Sequence, residues 1–412
     1  MVITKELNSK VRVVMEQIPY VQSVAIGIWV KAGAVDEEAK YAGISHFIEH
    51  MMFKGTKKRT SFQISDEMDA IGAQMNAFTS KDITCYYAKS TTAHAKEAFE
   101  ILSDLFLNSV FPEEEMTREK GVIIEEINMN DDTPDDLCLD LLSKAFYGER
   151  GYGRNILGTR QNVSGFTFDD VKNYMAKRYV PENIVISMAG NIDIKLAEEL
   201  AEKYFSGVAY APANNSPVIV NLAGKSLFRK KEIEQIHVGL AFPSVKRYDP
   251  LFDATQILNA VLGGSMSSRL FQKVREELGL AYTVYSYVSP YTETGSLIVY
   301  AGVNAGNYLK SVDAVFDCIS DIKNKNVSKE EFMRGKEQLN SSSVFAQEST
   351  SSQMLLYGKE LIYSGRVYDF EERVKKIASV TLDDVLAAVD CNFDRDGLAS
   401  AVIGNLDKPL EF

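Results

Sequence analysis

Hydrophobic and polar positions run through this chain in two rhythms. Val21 to Ala32 is an apolar-rich stretch that reads as a strand. The runs Ile83 to Ala88 and Gly295 to Ala301 read as further strands. From Ala95 to Leu107 the period changes to that of a helix, with Phe99, Leu102 and Phe106 on one face. Short strands joined by hairpin-scale turns, beside long helices, predict an α+β fold with largely antiparallel sheets.

The pattern also repeats. Ser23 to Trp29 resembles Gln235 to Ala241, which brings Gly27 onto Gly239 at a spacing of 212. Val110 to Met116 echoes Val327 to Phe332, and Met116 meets Phe332 at 216. Ala189 to Asp193 matches Ile403 to Asp407, with Gly190 and Gly404 at 214. Three anchors in one order at nearly one spacing predict a duplicated domain. The aperiodic stretch from Ser206 to Pro217, rich in Pro, Asn, Ser and Ala, marks the junction. The expected organisation is a domain over 1–208, a linker over 209–222 and a homologous domain over 223–412.

Composition narrows the class. At 412 residues and 45% apolar, the chain can bury substantial cores. Its longest apolar-rich run is too short to span a membrane, and Met1 to Lys10 has no apolar core of a signal segment. Four scattered cysteines (Cys85, Cys138, Cys318, Cys391) suggest neither disulfides nor a cysteine metal site. The expectation is a cytoplasmic protein without a membrane partner. A net charge of −12 disfavours nucleic acid. Much of the acidity is concentrated between Glu113 and Asp136, a field suited to cationic ligands.

Chemistry concentrates in one place. Two of the four histidines lie in Gly43-Ile-Ser-His46-Phe-Ile-Glu49-His50, an HxxEH arrangement. Ser45 is a candidate cap for a helix entering this segment. On a helix these positions share one face, so His46 and His50 can grip one zinc with Glu49 between them as a general base. A catalytic zinc needs a third protein ligand and an open position. His94 and His237 have no motif around them. The stretch from Arg118 to Ile127 places Glu119 and Glu126 on nearly one face, one able to ligate and the other to orient a histidine. Periodicity alone does not choose between Glu125 and Glu126.

His46-x-x-Glu49-His50 followed by Glu119-x6-Glu126 resembles the pitrilysin-type (inverzincin) zinc metallopeptidases. Asn76 to Ser80, Gly153 to Gly158, Tyr179 to Asn183 and Gly263 to Arg269 look like elements of the same family. Length and a single pair of repeats match its short bacterial branch, which is similar to the processing peptidase β subunit. The resemblance implies two tandem homologous α+β domains. It implies one Zn2+ per chain on His46, His50 and Glu126, with Glu49 as base and Glu119 supporting the site. It also implies substrate contacts from Asn76, Ala77 and Phe78 at a sheet edge, and from Arg275 and Tyr282 in the second half. There, Asn259, Leu262 and Gly263 stand opposite His46, Glu49 and His50, while Gly335 and Ser342 stand opposite Glu119 and Glu126, so that half has lost the ligands.

The expected function is therefore a zinc endopeptidase acting on peptides or unfolded polypeptides inside a closed chamber, assembled as a homodimer. The competing expectations are a non-catalytic assembly subunit of the same fold and a zinc enzyme that attacks a different bond.

Overall fold

The computed structural model describes residues 2–213, 218, 220, 222–324 and 326–408. It divides into two compact units. The first comprises Met1–Ile127, Asn155–Pro217 and Val344–Phe370, and the second Asn128–Arg154, Val218–Ser343 and Glu371–Phe412. The units therefore do not follow the chain halves. Residues 128–154 build the second unit and residues 344–370 the first. Within the expected linker, residues 214–217, 219 and 221 lie outside the described residues. The described remainder carries no helix or strand.

Unit one is built on six strands: β1 (Val2–Glu6), β2 (Arg12–Gln17), β3 (Ser23–Val30), β4 (Gln74–Thr79), β5 (Thr84–Thr91) and β6 (Ile184–Gly190). Their order is β1-β2-β6-β3-β5-β4. Only β2 and β6 run parallel. The near-continuous apolar run of β3 follows from its position, since both faces of the sheet are covered. On one face Val24, Ile26, Ile28 and Val30 join a core with Phe47, Ile48 and Met51 of α1 (Ile44–Met52). The same core takes in Ile64 and Met68 of α2 (Ser61–Ala70), Phe99 and Leu102 of α3 (Ala95–Asn108), and Ile123 of α4 (Glu113–Asp132). On the other face Ala25 and Trp29 pack with Met354, Tyr357 and Leu361 of the helix Thr350–Ser364.

Unit two has five strands, β7 (Ser226–Lys230), β8 (Gln235–Ser244), β9 (Ala281–Pro290), β10 (Gly295–Asn304) and β11 (Ala399–Gly404), in the order β7-β11-β8-β10-β9. Again one pair, β7 with β11, is parallel. Removing β1 from the first sheet leaves the same topology, so the duplication read from the glycine anchors is a duplication of fold. Helix α5 (Pro134–Tyr147) covers one face of this sheet, where the Cys138 thiol reaches the carbonyl of Ala401.

The repeated glycines of β3 and β8 have a steric reason. A Cβ on Gly27 would lie 2.4 Å from Sδ of Met354, and one on Gly239 would lie 3.0 Å from Cδ2 of Leu142. In each sheet the missing side chain makes room for a covering helix.

Candidate metal centre

Helix α1 begins in a backbone conformation that only glycine adopts readily. Gly43 has φ of 96°, and a Cβ there would fall 2.7 Å from the carbonyl of Leu157. The helix start is not capped by Ser45. Glu37 accepts from the amides of Gly43 at 2.8 Å and Ser45 at 2.9 Å, while the Ser45 hydroxyl lies 2.8 Å from that of Tyr174. A carboxylate eight residues upstream thus satisfies donors that the helix itself cannot.

Once formed, α1 presents its polar residues as one cluster. His46 and His50, one turn apart, have ring centroids 4.5 Å from each other. Glu126 of α4 approaches both, with Oε2 at 3.5 Å from His46 Nε2 and 3.6 Å from His50 Nε2. One ligand atom from each of the three lies within 4.8 Å of the others, and among the described residues this is the one group of three or more such side chains. Glu126 Oε2 is buried without a hydrogen-bond partner. Two imidazole nitrogens and a bare carboxylate oxygen converging in this way fit zinc, which favours N and O donors and tolerates a three-residue site. Glu125 is exposed on α4, so tertiary packing separates two adjacent glutamates that periodicity could not.

The electrostatics follow from burial and pairing. Burial, with His50 nearby, pushes His46 down to about 3, which keeps its ring neutral and able to ligate. Burial also works against charge on His50, but the Glu119 carboxylate, with Glu126 and Glu49, carries it upward overall. Glu119 Oε1 lies 2.7 Å from His50 Nδ1 and its Oε2 lies 2.6 Å from Nζ of Lys54. Burial opposes the charge on Glu119, yet these two partners hold its carboxyl below the usual range. Glu126 is pushed up by burial. Glu49 is also pushed up by burial, a shift opposed by the Thr79 hydroxyl that donates to its Oε2. Thr79 was not singled out as a site residue from sequence. The signal available was its place directly after Asn76-Ala77-Phe78.

Those three residues lie on β4, which ends the sheet order, so one of its edges has no strand partner among the described residues. Asn76 is exposed, and Phe78 packs edge-on to Trp29 at 5.8 Å. In unit two, Arg275 lies in the π-helical segment Phe271–Glu277. Its guanidinium sits 4.7 Å from the Phe271 ring centroid and 4.9 Å from that of Tyr282. Tyr282 is 75% exposed. Asn259 accepts from Ser286 at 2.7 Å, and a Cβ on Gly263 would fall 2.6 Å from Ser286, so packing fills this position.

The fold and the cluster define a class, an α+β chain of two like units with, among the described residues, one three-residue site able to hold a metal ion. Residues 12–160 match the insulinase family (peptidase family M16), and residues 165–339 match the peptidase M16 inactive domain. The chain belongs to peptidase family M16. An uncharacterized zinc protease of Bacillus subtilis, YmxG, is 41% identical over 376 residues, 91% of each chain. An uncharacterized zinc protease of Streptomyces coelicolor is 36% identical, over 92% of this chain and 85% of its own. Among solved structures, a protease from Helicobacter pylori shares the fold with a TM-score of 0.92 at 18% identity, covering 98% of this chain and 99% of its own. No helix of the described residues is long and apolar enough to cross a membrane.

Proposed function

We propose that this chain is a zinc endopeptidase that cleaves peptides or unfolded polypeptides, with Glu49 as general base. The observation that carries the proposal is the convergence of His46, His50 and Glu126 within 4.8 Å, with Glu49 on the same helix. The names of the relatives, zinc proteases, support the choice of metal. His46, His50 and Glu126 would hold one zinc per chain, which supplies Lewis acidity to a peptide carbonyl and to an attacking water. Glu49 takes the proton of that water and delivers it to the departing amide nitrogen. Glu119, steadied by Lys54, holds His50 in the tautomer that leaves Nε2 free to ligate.

The edge of β4 that has no strand partner among the described residues, at Asn76, Ala77 and Phe78, accepts an extended peptide through main-chain hydrogen bonds, which demand little of its sequence. Arg275 and Tyr282 hold substrate from the second half, the guanidinium pre-oriented by its two flanking rings. The acidic stretch from Glu113 to Asp136 favours basic peptides. The working particle is a cytoplasmic homodimer, a closed chamber of the processing-peptidase kind.

The test is peptidase profiling on a mixed peptide library, comparing zinc-loaded wild type with Glu49→Gln. Cleavage by the wild type should fall by about 10²–10⁴-fold in the variant, with zinc retained. No cleavage by a zinc-loaded wild type would favour the assembly role instead.

A further inference from the structure

Glu49 does not stand free. It is half-buried on α1, and the hydroxyl of Thr79 donates to its Oε2. An ionised carboxylate only accepts, so the proton of this bond belongs to threonine. The proton of the next hydroxyl along is engaged elsewhere. Thr84, fully buried on β5 and paired in register with Thr79, donates to the carbonyl of Ala32 at 2.9 Å and approaches Thr79 Oγ1 at 3.5 Å. With the single Thr84 proton given to Ala32, the Glu49 carboxylate is the close acceptor for the Thr79 hydroxyl. Threonine is also stiff at χ1, so a strand backbone fixes where its hydroxyl points.

We propose that Thr79 is the positioning residue of the general base. Its hydroxyl, presented from the edge strand β4, anchors Glu49 Oε2 and leaves Oε1 as the oxygen that takes the water proton. The proposal rests on Glu49 acting as the base. It deepens that reading by tying the carboxylate's orientation to the strand on which an extended peptide would lie. A substrate that adds to β4 rigidifies the strand carrying Thr79, so peptide binding and orientation of the base are coupled through one side chain.

The experiment uses full-length, zinc-loaded protein and a quenched fluorogenic peptide chosen from a mixed library because the wild type cleaves it. Thr79→Val and Thr79→Ala remove the donor, the first keeping the shape and the second adding no bulk. Both should lower kcat by about 10- to 100-fold, the loss expected for a hydrogen bond to a charged group, with KM within about twofold and zinc content unchanged. Thr79→Ser keeps the donor and should return kcat to within about threefold of wild type. A serine variant as impaired as valine would overturn the proposal. So would a loss confined to KM, which would make Thr79 an ordinary edge-strand contact. Glu49→Gln runs alongside. Should it be inactive while both donor-less variants turn over like wild type, the positioning role alone fails; if it retains turnover, the base itself has been misassigned.

Discussion

Glu119 accepts from His50 Nδ1 at 2.7 Å while its other oxygen lies 2.6 Å from Lys54. The donors come from α1 and the residue two beyond its end, and the acceptor from α4, so the contact also pins the two helices that bring His50 and Glu126 together. Glu119→Gln keeps the size of the side chain and loses its charge. It should weaken zinc binding about 10- to 100-fold, measured by competition with a chromophoric chelator, while the far-UV circular dichroism stays unchanged.

Glu126 and Glu125 are neighbours in sequence with opposite surroundings. Wild-type protein should retain about one zinc per chain after gel filtration, as a three-ligand site requires. Glu126→Gln should lose most of it, whereas Glu125→Gln should keep it. Metal analysis of the three proteins by mass spectrometry checks the assignment, and the reverse order would refute it.

The proposed homodimer can be tested by mixing. Arg275→Ala and Glu49→Gln chains should each be nearly inactive alone. Co-refolded, they should recover about a quarter of wild-type activity, because half of randomly paired dimers are mixed and each mixed dimer has one complete site in trans. Absence of recovery in demonstrated mixed dimers would mean that the site is completed in cis or that Arg275 has another role. Sedimentation showing a monomeric active enzyme would end the proposal.

A fourth prediction concerns pH and an ion pair of unit two. The guanidinium of Arg269, 2.8 Å from Glu331 Oε1, is the main reason the Glu331 carboxyl is lowered to about 2. Burial opposes the shift, and the Ser328 amide, at 2.9 Å, adds to it. A carboxyl lower in the folded than in the unfolded chain contributes stability above the unfolded value. That contribution fades as pH falls through the interval towards the folded one. The destabilisation caused by Glu331→Gln should therefore be largest near pH 6 and shrink steadily below about pH 4.5. Urea midpoints of both proteins at several pH values measure it, and a pH-independent gap would contradict the pairing.

Local physics alone made part of this protein readable. The 3.6-residue period puts His46, Glu49 and His50 on one face of a single helix, whatever the rest of the chain does. Ala95–Asn108 forms where Phe99, Leu102 and Phe106 predicted it, because an amphipathic face needs only its own residues to declare itself. The duplicated sheet was visible through glycines whose role is steric and therefore leaves a mark in sequence.

Other features were decided by residues far apart along the chain. Glu37, not Ser45, caps α1 because a buried carboxylate meets both amides there. Packing of α4 through Ile123 and Ile127 turns Glu126 towards His46 and His50 and leaves Glu125 outside, a rotation that two adjacent carboxylates do not encode. The hydroxyl facing Glu49 comes from a strand thirty positions later, and Thr79 differs from its neighbours only in where β4 places it. Met354 and Cys138 come to lie on the sheets of different units for the same reason: apolar helix faces and sheet faces are interchangeable in composition, and only three-dimensional complementarity selects which pair meets.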